Sequence, residues 1–414
     1  MKSLQPVRGT HDLLPDAHRR HRHVGDRAKA VAQTYGYLEM ATPIFEFTEV
    51  FKRTLGDTSD VVSKEMYSFP DRGGDDITLR PENTAGVCRA VMSNGLRQSL
   101  PVKFFYEGPM FRYERPQKGR QRQFHQIGVE LIGVEGPLGD VEVITLGAHI
   151  LDALGVLDKT TLELNTLGDQ ESRRAYRSVL VDYFQAHRDS LSEDSRGRLE
   201  RNPLRILDSK DEADRKIVSG APSFADHLTA AATDFFGAVK AGLDTAGVAY
   251  SINPRLVRGL DYYCHSAFEF TTTALGAQGT VMGGGRYDGL IETMGGPATP
   301  GVGWAAGMER LAMLATGVPP APRPVAVVPV GAAAEIEALR LTQRLRRAGL
   351  ATDLGYGGNL GRRLKRADKI GARVAVIIGE DELAKGAAMV RDLDTGEQSE
   401  VSLDVLPDRL AALV

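Results

Sequence analysis

Met110 to Gln126 reads MFRYERPQKGRQRQFHQ, with five cations (Arg112, Arg115, Lys118, Arg120, Arg122) against one acid, Glu114. Apolar runs flank it, Val102-Lys-Phe-Phe-Tyr106 before and Ile127-Gly-Val-Glu-Leu-Ile132 after. Two such runs around a polar middle predict a β-hairpin with a long basic tip. A solvated tip explains most basic loops. Two details point further here. Arg112 stands between Phe111 and Tyr113, where a cation without a partner is costly. On the returning strand, a period of two puts Phe124, Gln126, Gly128 and Glu130 on one face. A cation, an aromatic plate, an amide and a carboxylate together suit a small zwitterion beside a nucleotide better than they suit packing.

Upstream, Asp16 to Tyr35 predicts a helix with Val24, Ala28, Val31, Ala32 and Tyr35 at helical spacing, stopped by Gly36. Tyr37 to Pro43 predicts a strand closed by proline. Met66–Phe69 and Ile77–Arg80 flank Asp71-Arg-Gly-Gly-Asp-Asp76, a hairpin signal. Thr84 or Asn83 is the candidate N-cap of the helix that follows. Downstream, charged and alanine-rich helices dominate 171–250, strands return at Ala267–Phe270 and Thr280–Met282, and Val302–Gly307 leads into a helix over Met308–Leu314. Gly317-Val-Pro-Pro-Ala-Pro-Arg-Pro324 is a linker, since proline at that density breaks both helix and sheet. Beyond it, strands at Val325–Val330, Ala351–Gly355 and Val374–Ile378 alternate with helices at Ala334–Ala348 and Leu360–Ile370, predicting a small α/β domain with a largely parallel sheet.

The 414 residues exceed one ordinary core. A net charge of −3 offers no global field for nucleic acid, so any such contact needs local patches. Two cysteines, Cys88 and Cys264, suggest neither a zinc site nor a disulfide framework. The polar start, MKSLQPVRGTHDLLP, does not read as a signal peptide, and no apolar run has membrane-spanning length, so a cytoplasmic protein without membrane contact is expected. No Walker-type GxxxxGK[ST] occurs. Gly283-Gly-Gly-Arg-Tyr-Asp288 departs from GxGxxG, and its Gly283–Gly285 read as a pocket floor, while Gly301 and Gly303 read as turn and close-packing glycines. His18, His21 and His23 are interleaved with arginines, which favours a solvated helix face over metal capture, and no protein-coordinated metal site is identified.

These residues together resemble the histidyl-tRNA synthetase family of class II aminoacyl-tRNA synthetases over nearly the whole chain. Arg8-Gly-Thr-His-Asp-Leu-Leu-Pro15 is similar to its N-terminal signature, Gly108–Gln126 to class motif 2, and Gly307-Met-Glu-Arg-Leu311 to motif 3. The helix and strand ending at Pro43 resemble motif 1, which builds a dimer interface. Arg258-Gly-Leu-Asp-Tyr-Tyr263 and Gly284-Gly-Arg-Tyr-Asp-Gly289 resemble the two histidine-specific signatures. Asn83 stands where the family most often has glycine, and Trp304 is bulkier than the family leads one to expect before motif 3.

The resemblance implies an α+β catalytic domain on a mainly antiparallel sheet (1–170 and 251–316), a helical insertion (171–250), a linker (317–324) and a C-terminal α/β anticodon-binding domain (325–414). It implies activation of L-histidine by ATP to histidyl-adenylate and transfer to the 3′ end of tRNA-His by a homodimer, with Mg²⁺ accompanying ATP. Arg112 and Arg258 would be catalytic, holding α-phosphate and carboxylate from two sides. Arg112, Arg120, Phe124 and Arg310 would bind ATP. Glu82, Thr84 and Gln126 would take the α-ammonium, and Glu130 and Tyr263 the imidazole, with Tyr262 shaping the pocket. Arg115, Gln117 and Lys118 would meet the acceptor stem, and Arg362, Arg363, Lys365 and Arg366 would form the anticodon domain's basic patch, with Lys369 and Arg373 beyond. A histidine-sensing regulatory paralogue that charges no tRNA is the alternative. Such paralogues typically lack the anticodon domain and lose the signature arginines.

Overall fold

The computed structural model describes residues 3–56, 61–116, 119–207, 209, 211–257, 262–276 and 279–413. The chain forms two compact units, Met1–Val318 and Pro319–Val414, and the division falls inside the expected proline-rich linker.

In the first unit, helix α1 (Pro15–Thr34) buries Val24, Ala28, Val31 and Ala32, the stripe its spacing predicts. The strand expected over 37–43 is much shorter. Only Leu38–Glu39 (β1) pairs, in parallel with the later strand Val102–Phe111. The chain then forms β2 (Phe45–Phe47), which sequence reasoning missed, and α2 (Thr48–Leu55). Strands β3 (Tyr67–Pro70) and β4 (Asp76–Leu79) make the expected hairpin, and β2 joins it on the far side of β4. The Asp71 carboxylate accepts from the backbone N–H groups of Gly73 and Asp75 at 2.7 and 3.0 Å, which closes the turn. After α3 (Thr84–Ser93) come β5 (Val102–Phe111) and β6 (Gln123–Ile132), an antiparallel pair in unbroken register from Val102↔Ile132 to Phe111↔Gln123.

Helix α4 (Leu138–Ala153) and β7 (Thr161–Thr166) precede the helices α5 (Gln170–Ala186), α6 (Glu193–Arg201), α7 (Glu212–Val218) and α8 (Ala230–Thr245). The remainder is β8 (Ser251–Ile252), β9 (Cys264–Thr271), β10 (Thr280–Arg286), α9 (Leu290–Thr293), β11 (Gly301–Gly307) and α10 (Met308–Leu314). The main sheet runs β1-β5-β6-β11-β10-β9-β7-β8. Its two outer pairs are parallel and the inner ones antiparallel, as expected of a mainly antiparallel sheet. One core gathers α1, α4 and α8 against the sheet, with Val143, Ile144, Val239, Leu243 and Trp304 in it. The bulk of Trp304 is accommodated there, its Nε1 donating to the Val143 carbonyl at 3.0 Å. A second core holds Val87, Tyr106, Met110, Tyr263 and Tyr287.

The block expected as one helical insertion divides by its packing. Helix α8 contributes Val239 and Leu243 to the main core, whereas α5 to α7 close around their own, which includes Tyr176, Leu180, Phe184, Leu199 and Val218.

The second unit contains β12 (Val325–Pro329), α11 (Ala332–Arg347), β13 (Thr352–Leu354), α12 (Leu360–Lys369), β14 (Val374–Ile378), α13 (Glu380–Ala384), β15 (Ala387–Asp392), β16 (Gln398–Ser402) and α14 (Leu406–Ala411). Its sheet runs β13-β12-β14-β15-β16. The largely parallel sheet expected holds for β13, β12 and β14 only, because β14, β15 and β16 pair antiparallel. Helical crossovers make the first three parallel, whereas the short turn at Asp392–Glu397 returns the chain directly. Edge strand β16 is mostly exposed and polar, so it has no apolar rhythm to betray it.

One carboxylate organises the small core of α5 to α7. Asp214 is fully buried and accepts from Ser192 N at 2.8 Å, Ser192 Oγ at 2.7 Å, and the Oγ atoms of Ser195 and Ser209 at 2.6 Å each. Burial alone would raise its carboxyl, but these bonds hold it below the usual carboxylate range. Its stabilisation is therefore present above the unfolded value near 3.8 and is lost as pH falls through the lower folded value. Asp214→Ala is expected to destabilise this subdomain by about 2–3 kcal/mol. Amide hydrogen exchange checks this: protection should fall across α5 to α7 and hold in β5 and β6.

Candidate active site

A cavity of about 810 Å³ opens in the first unit, lined by the β5–β6 hairpin, the start of α3, Tyr262 and Tyr263, β10 and the start of α10. Its shape follows from the sheet. The hairpin's register carries Phe124 and Gln126 to the cavity wall, with Glu130 further along the same face.

One half is cationic and aromatic. Arg112 lies one residue past the end of β5, its Nε donating to the Pro81 carbonyl at 2.8 Å and its guanidinium 5.4 Å from the Phe124 ring centre. Arg120 pairs with Glu114 at 3.1 Å. Arg310, at the start of α10, donates to the Thr280 carbonyl. Burial and then the nearby Arg120 pull Arg310 below its ordinary value, which marks a place where positive charge is concentrated. Guanidinium groups converging beside the half-buried Phe124 ring at the cavity wall fit a polyphosphate attached to a flat base.

The other half is polar and deeply buried. Glu130 has no exposed surface. It accepts from Thr84 Oγ1 at 2.7 Å and from the Tyr287 hydroxyl. A Cβ on Gly303 would sit 1.9 Å from Glu130 Oε2, so only glycine leaves room for this carboxylate. Burial raises the Glu130 carboxyl to about 8, against the lowering effect of the Tyr287 and Thr84 hydrogen bonds. Glu82 accepts from the backbone N–H of Thr84 at 2.7 Å and of Ala85 at 3.0 Å. Burial raises its carboxyl too, with these bonds opposing. Asn83 holds the N-cap position of α3, as expected, but makes no side-chain cap there, and the Glu82 carboxylate satisfies the first N–H groups of the helix instead. The Gln126 Oε1 atom is buried in the cavity wall without a hydrogen-bond partner among the described residues. Such an acceptor, in a wall that also holds Glu82, suits an ammonium group. Tyr262 and Tyr263 stack at 4.5 Å between ring centres.

The structure therefore brings together Glu82, Thr84, Arg112, Arg120, Phe124, Gln126, Tyr262, Tyr263 and Arg310 as cavity-lining residues, with Glu130 behind them. Arg258, Gln117 and Lys118 lie outside the described residues. Arg115 is exposed and does not line the cavity. Asn83 turns away from it, its side-chain oxygen accepting from Thr42 Oγ1 at 2.6 Å and Arg80 Nη1 at 3.3 Å. The pocket-floor reading of Gly283–Gly285 needs correction. All three are in strand β10, and only Gly283 lines the cavity. Gly285 is required by the Tyr263 ring, which a Cβ would approach to 2.8 Å. The following Arg286 is fully buried and bound to Asp140, Asp288 and the carbonyls of Val134 and Gly136, so it braces the fold. Tyr287 and Gly303 were missed as site residues. The period of two in β10 gave no sign of Tyr287, which lies just past its end. Arg198 and Arg205 of the helical insertion also line the cavity, a tertiary approach without local signal.

Two further expectations change. His21 is not on a solvated face. It is 8% exposed and faces His125, while His18 is exposed. In the second unit, Arg363 is buried and bonds to Pro329 and Glu335, so it leaves the proposed basic patch. Arg366 pairs with Asp353 through two bonds of 3.1 and 3.0 Å, and Arg373 pairs with Asp392 at 2.6 Å. Arg362 and Lys365 remain exposed.

The Glu130 environment sets a pH dependence. The folded carboxyl keeps its proton to about 8, whereas an unfolded glutamate releases it near 4.5. The folded chain holds the extra proton between those values, so this group's contribution falls as pH rises through that window. Glu130→Gln should flatten the decline in unfolding midpoint between pH 5 and 8 relative to the unsubstituted chain. Parallel curves would show that Glu130 is already ionised.

Comparison with known proteins agrees with this geometry. The family model described as histidyl-tRNA synthetase matches residues 9–172 and 184–311, and one described as an anticodon binding domain matches 324–413. A histidine–tRNA ligase of Rhodospirillum rubrum is 64% identical over 99% of each chain, and one of Gluconacetobacter diazotrophicus is 60% identical over 100% of each. The crystal structure of apo S. aureus histidyl-tRNA synthetase superposes with a TM-score of 0.82 at 34% identity, over 98% of this chain and 99% of that one. With its cleft, its two units and its sequence all pointing the same way, the chain belongs to the histidyl-tRNA synthetase family.

Proposed function

We propose that this chain is a histidine–tRNA ligase whose cavity activates L-histidine with ATP and passes the histidyl group to the 3′ end of tRNA-His. The observation that carries the reading is Glu130, a buried carboxyl held by Thr84 and Tyr287 behind the wall of a cavity that Arg112, Arg120 and Arg310 also line. In the first step the histidine carboxylate oxygen attacks the α-phosphorus of ATP. The bond from the α-phosphorus to the oxygen bridging it to the β-phosphate breaks, and pyrophosphate leaves with the electron pair. No covalent enzyme intermediate is needed, so positioning and charge neutralisation supply the catalysis. Arg112 neutralises the α-phosphate and substrate carboxylate, Arg258 acts from the other side, Phe124 and Arg310 sandwich the adenine, and Arg120 meets the outer phosphates. Mg²⁺ would accompany ATP on its phosphate oxygens and neutralise part of their charge.

Glu82, Thr84 and Gln126 receive the α-ammonium. Glu130 and Tyr263 read the imidazole nitrogens, with Tyr262 beside them. A buried acceptor that needs an N–H rejects amino acids without one, since it would be left unpaired. In the second step a hydroxyl of the terminal adenosine attacks the adenylate carbonyl and AMP leaves. Arg115, Gln117 and Lys118 at the hairpin tip meet the acceptor stem. In the second unit, Arg362 and Lys365 meet RNA phosphate. The matched anticodon-binding domain and the full-length identity favour the ligase over the histidine-sensing paralogue.

The reading includes a cytoplasmic homodimer. Supporting the dimer, Phe45, Phe47 and Phe69 are 52, 60 and 45% exposed on the three-stranded sheet, and edge strand β1 exposes Leu38. Light scattering should give twice the chain mass, and a monomer would refute this part.

Histidine-dependent ATP–pyrophosphate exchange tests the chemistry. Exchange should occur with histidine and no other amino acid, and Arg112→Ala should lower it by about 10²-fold or more. Arg362→Glu with Lys365→Glu should leave exchange intact and lower tRNA charging. Histidine binding without exchange would return the regulatory reading.

A further inference from the structure

Of the three histidines on α1, His21 alone is buried, and its Nδ1 has no hydrogen-bond partner among the described residues. Its ring meets His125 edge-on, with centres 5.5 Å apart. His125 Nδ1 lies 3.0 Å from Glu309 Oε1, and the Glu309 carboxylate also accepts the His125 backbone N–H at 2.9 and 3.1 Å. One possible ligand atom from each of His21, His125 and Glu309 lies within 4.8 Å of the other two. The three come from α1, β6 and α10.

We propose that His21, His125 and Glu309 form a binding site for a divalent first-row transition cation, with Zn²⁺ as the ion to try first. Two imidazoles and a carboxylate are the donor set such ions take, and three protein ligands leave a fourth position for water. Tetrahedral bonds of about 2.0–2.2 Å put ligand atoms about 3.3–3.5 Å apart, so an edge of this cluster at the 4.8 Å limit must close by about 1.3–1.5 Å. Side-chain rotation covers that.

The plainer reading is that Glu309 orients His125 while His21 fills space. An aliphatic residue would fill it without burying an unbonded nitrogen. The local charge is mixed. Arg19 and Arg22 lie on α1, His11 and His18 face His21, and Glu107 packs against α1 where a Cβ on Gly25 would be 2.2 Å from its Oε2. That carboxylate offsets the arginines one helical turn from His21. The ion would pin α1 to the catalytic hairpin. His125 stands between Phe124 and Gln126, and Glu309 precedes Arg310, so occupancy reaches the cavity wall.

The test titrates metal-stripped full-length chain with Zn²⁺ and with Co²⁺. One ion per chain, a tetrahedral Co²⁺ spectrum without thiolate charge-transfer bands, and a raised unfolding temperature are expected. His21→Gln should weaken Zn²⁺ by about 100-fold, and Glu309→Gln, which keeps an oxygen for the His125 N–H, should weaken it as well. His18→Ala should have no effect. His21→Gln should leave the unfolding temperature and exchange activity of the metal-free chain unchanged. Absence of stoichiometric binding, affinity untouched by both ligand substitutions, or thiolate bands placing the ion at a cysteine would each overturn the proposal.

Discussion

A carboxylate with no exposed surface has to be held by something, and the catalytic unit is arranged around how Glu130 is held. Its strand β6 is central, paired with β5 on one side and β11 on the other. Glycine at 303 on β11 opens the space, α3 brings the Thr84 hydroxyl, and the end of β10 brings Tyr287. Three separate parts of the chain must be in register before this group is satisfied. Burial then favours the proton on it. A substrate N–H is the natural partner for such an acceptor, because it supplies what the apolar surroundings withhold. The same constraint places Glu82 and Gln126, since α3 and β6 are already fixed by Glu130 and carry these groups to the cavity wall.

Charge is separated with equal care. The chain is slightly acidic overall, yet Arg112, Arg120 and Arg310 converge on one cavity. Other arginines in similar sequence settings do different work. Arg286 follows three glycines within a signature, but Asp140, Asp288 and two carbonyls take up its guanidinium. A buried pair of this kind contributes little net stability beyond an apolar replacement, while loss of one partner strands a charge. Its effect is to lock the end of β10, and so to place Tyr287.

The sequence made the hairpin, α1 and the domain order readable because each has a strong local period. The cavity-facing side of β6 was legible from the strand period alone, which puts Phe124, Gln126 and Glu130 on one face, although burial along β6 rises steadily and does not alternate. What escaped depends on distant partners. Gly303 looks like any packing glycine until Glu130 is opposite it. The capping of α3 by Glu82 competes with Asn83, whose amide is drawn off by Thr42 and Arg80. In the second unit, β16 was lost because an exposed polar edge strand carries no apolar pattern, whereas β15 buries Ala387, Ala388 and Val390 and was simply passed over.

The charged helices show the limit most sharply. In both α1 and α12 the composition is cationic, and a solvated face is the local answer for each. The packing partner decides otherwise at single positions. His21 turns towards His125 and Glu309, and Arg363 turns towards Glu335 and the Pro329 carbonyl. Neighbours such as Arg362 and Lys365 stay in water. A run of like charge on a helix therefore fixes how many cations there are, and only the opposing surface fixes which of them can still receive an anion.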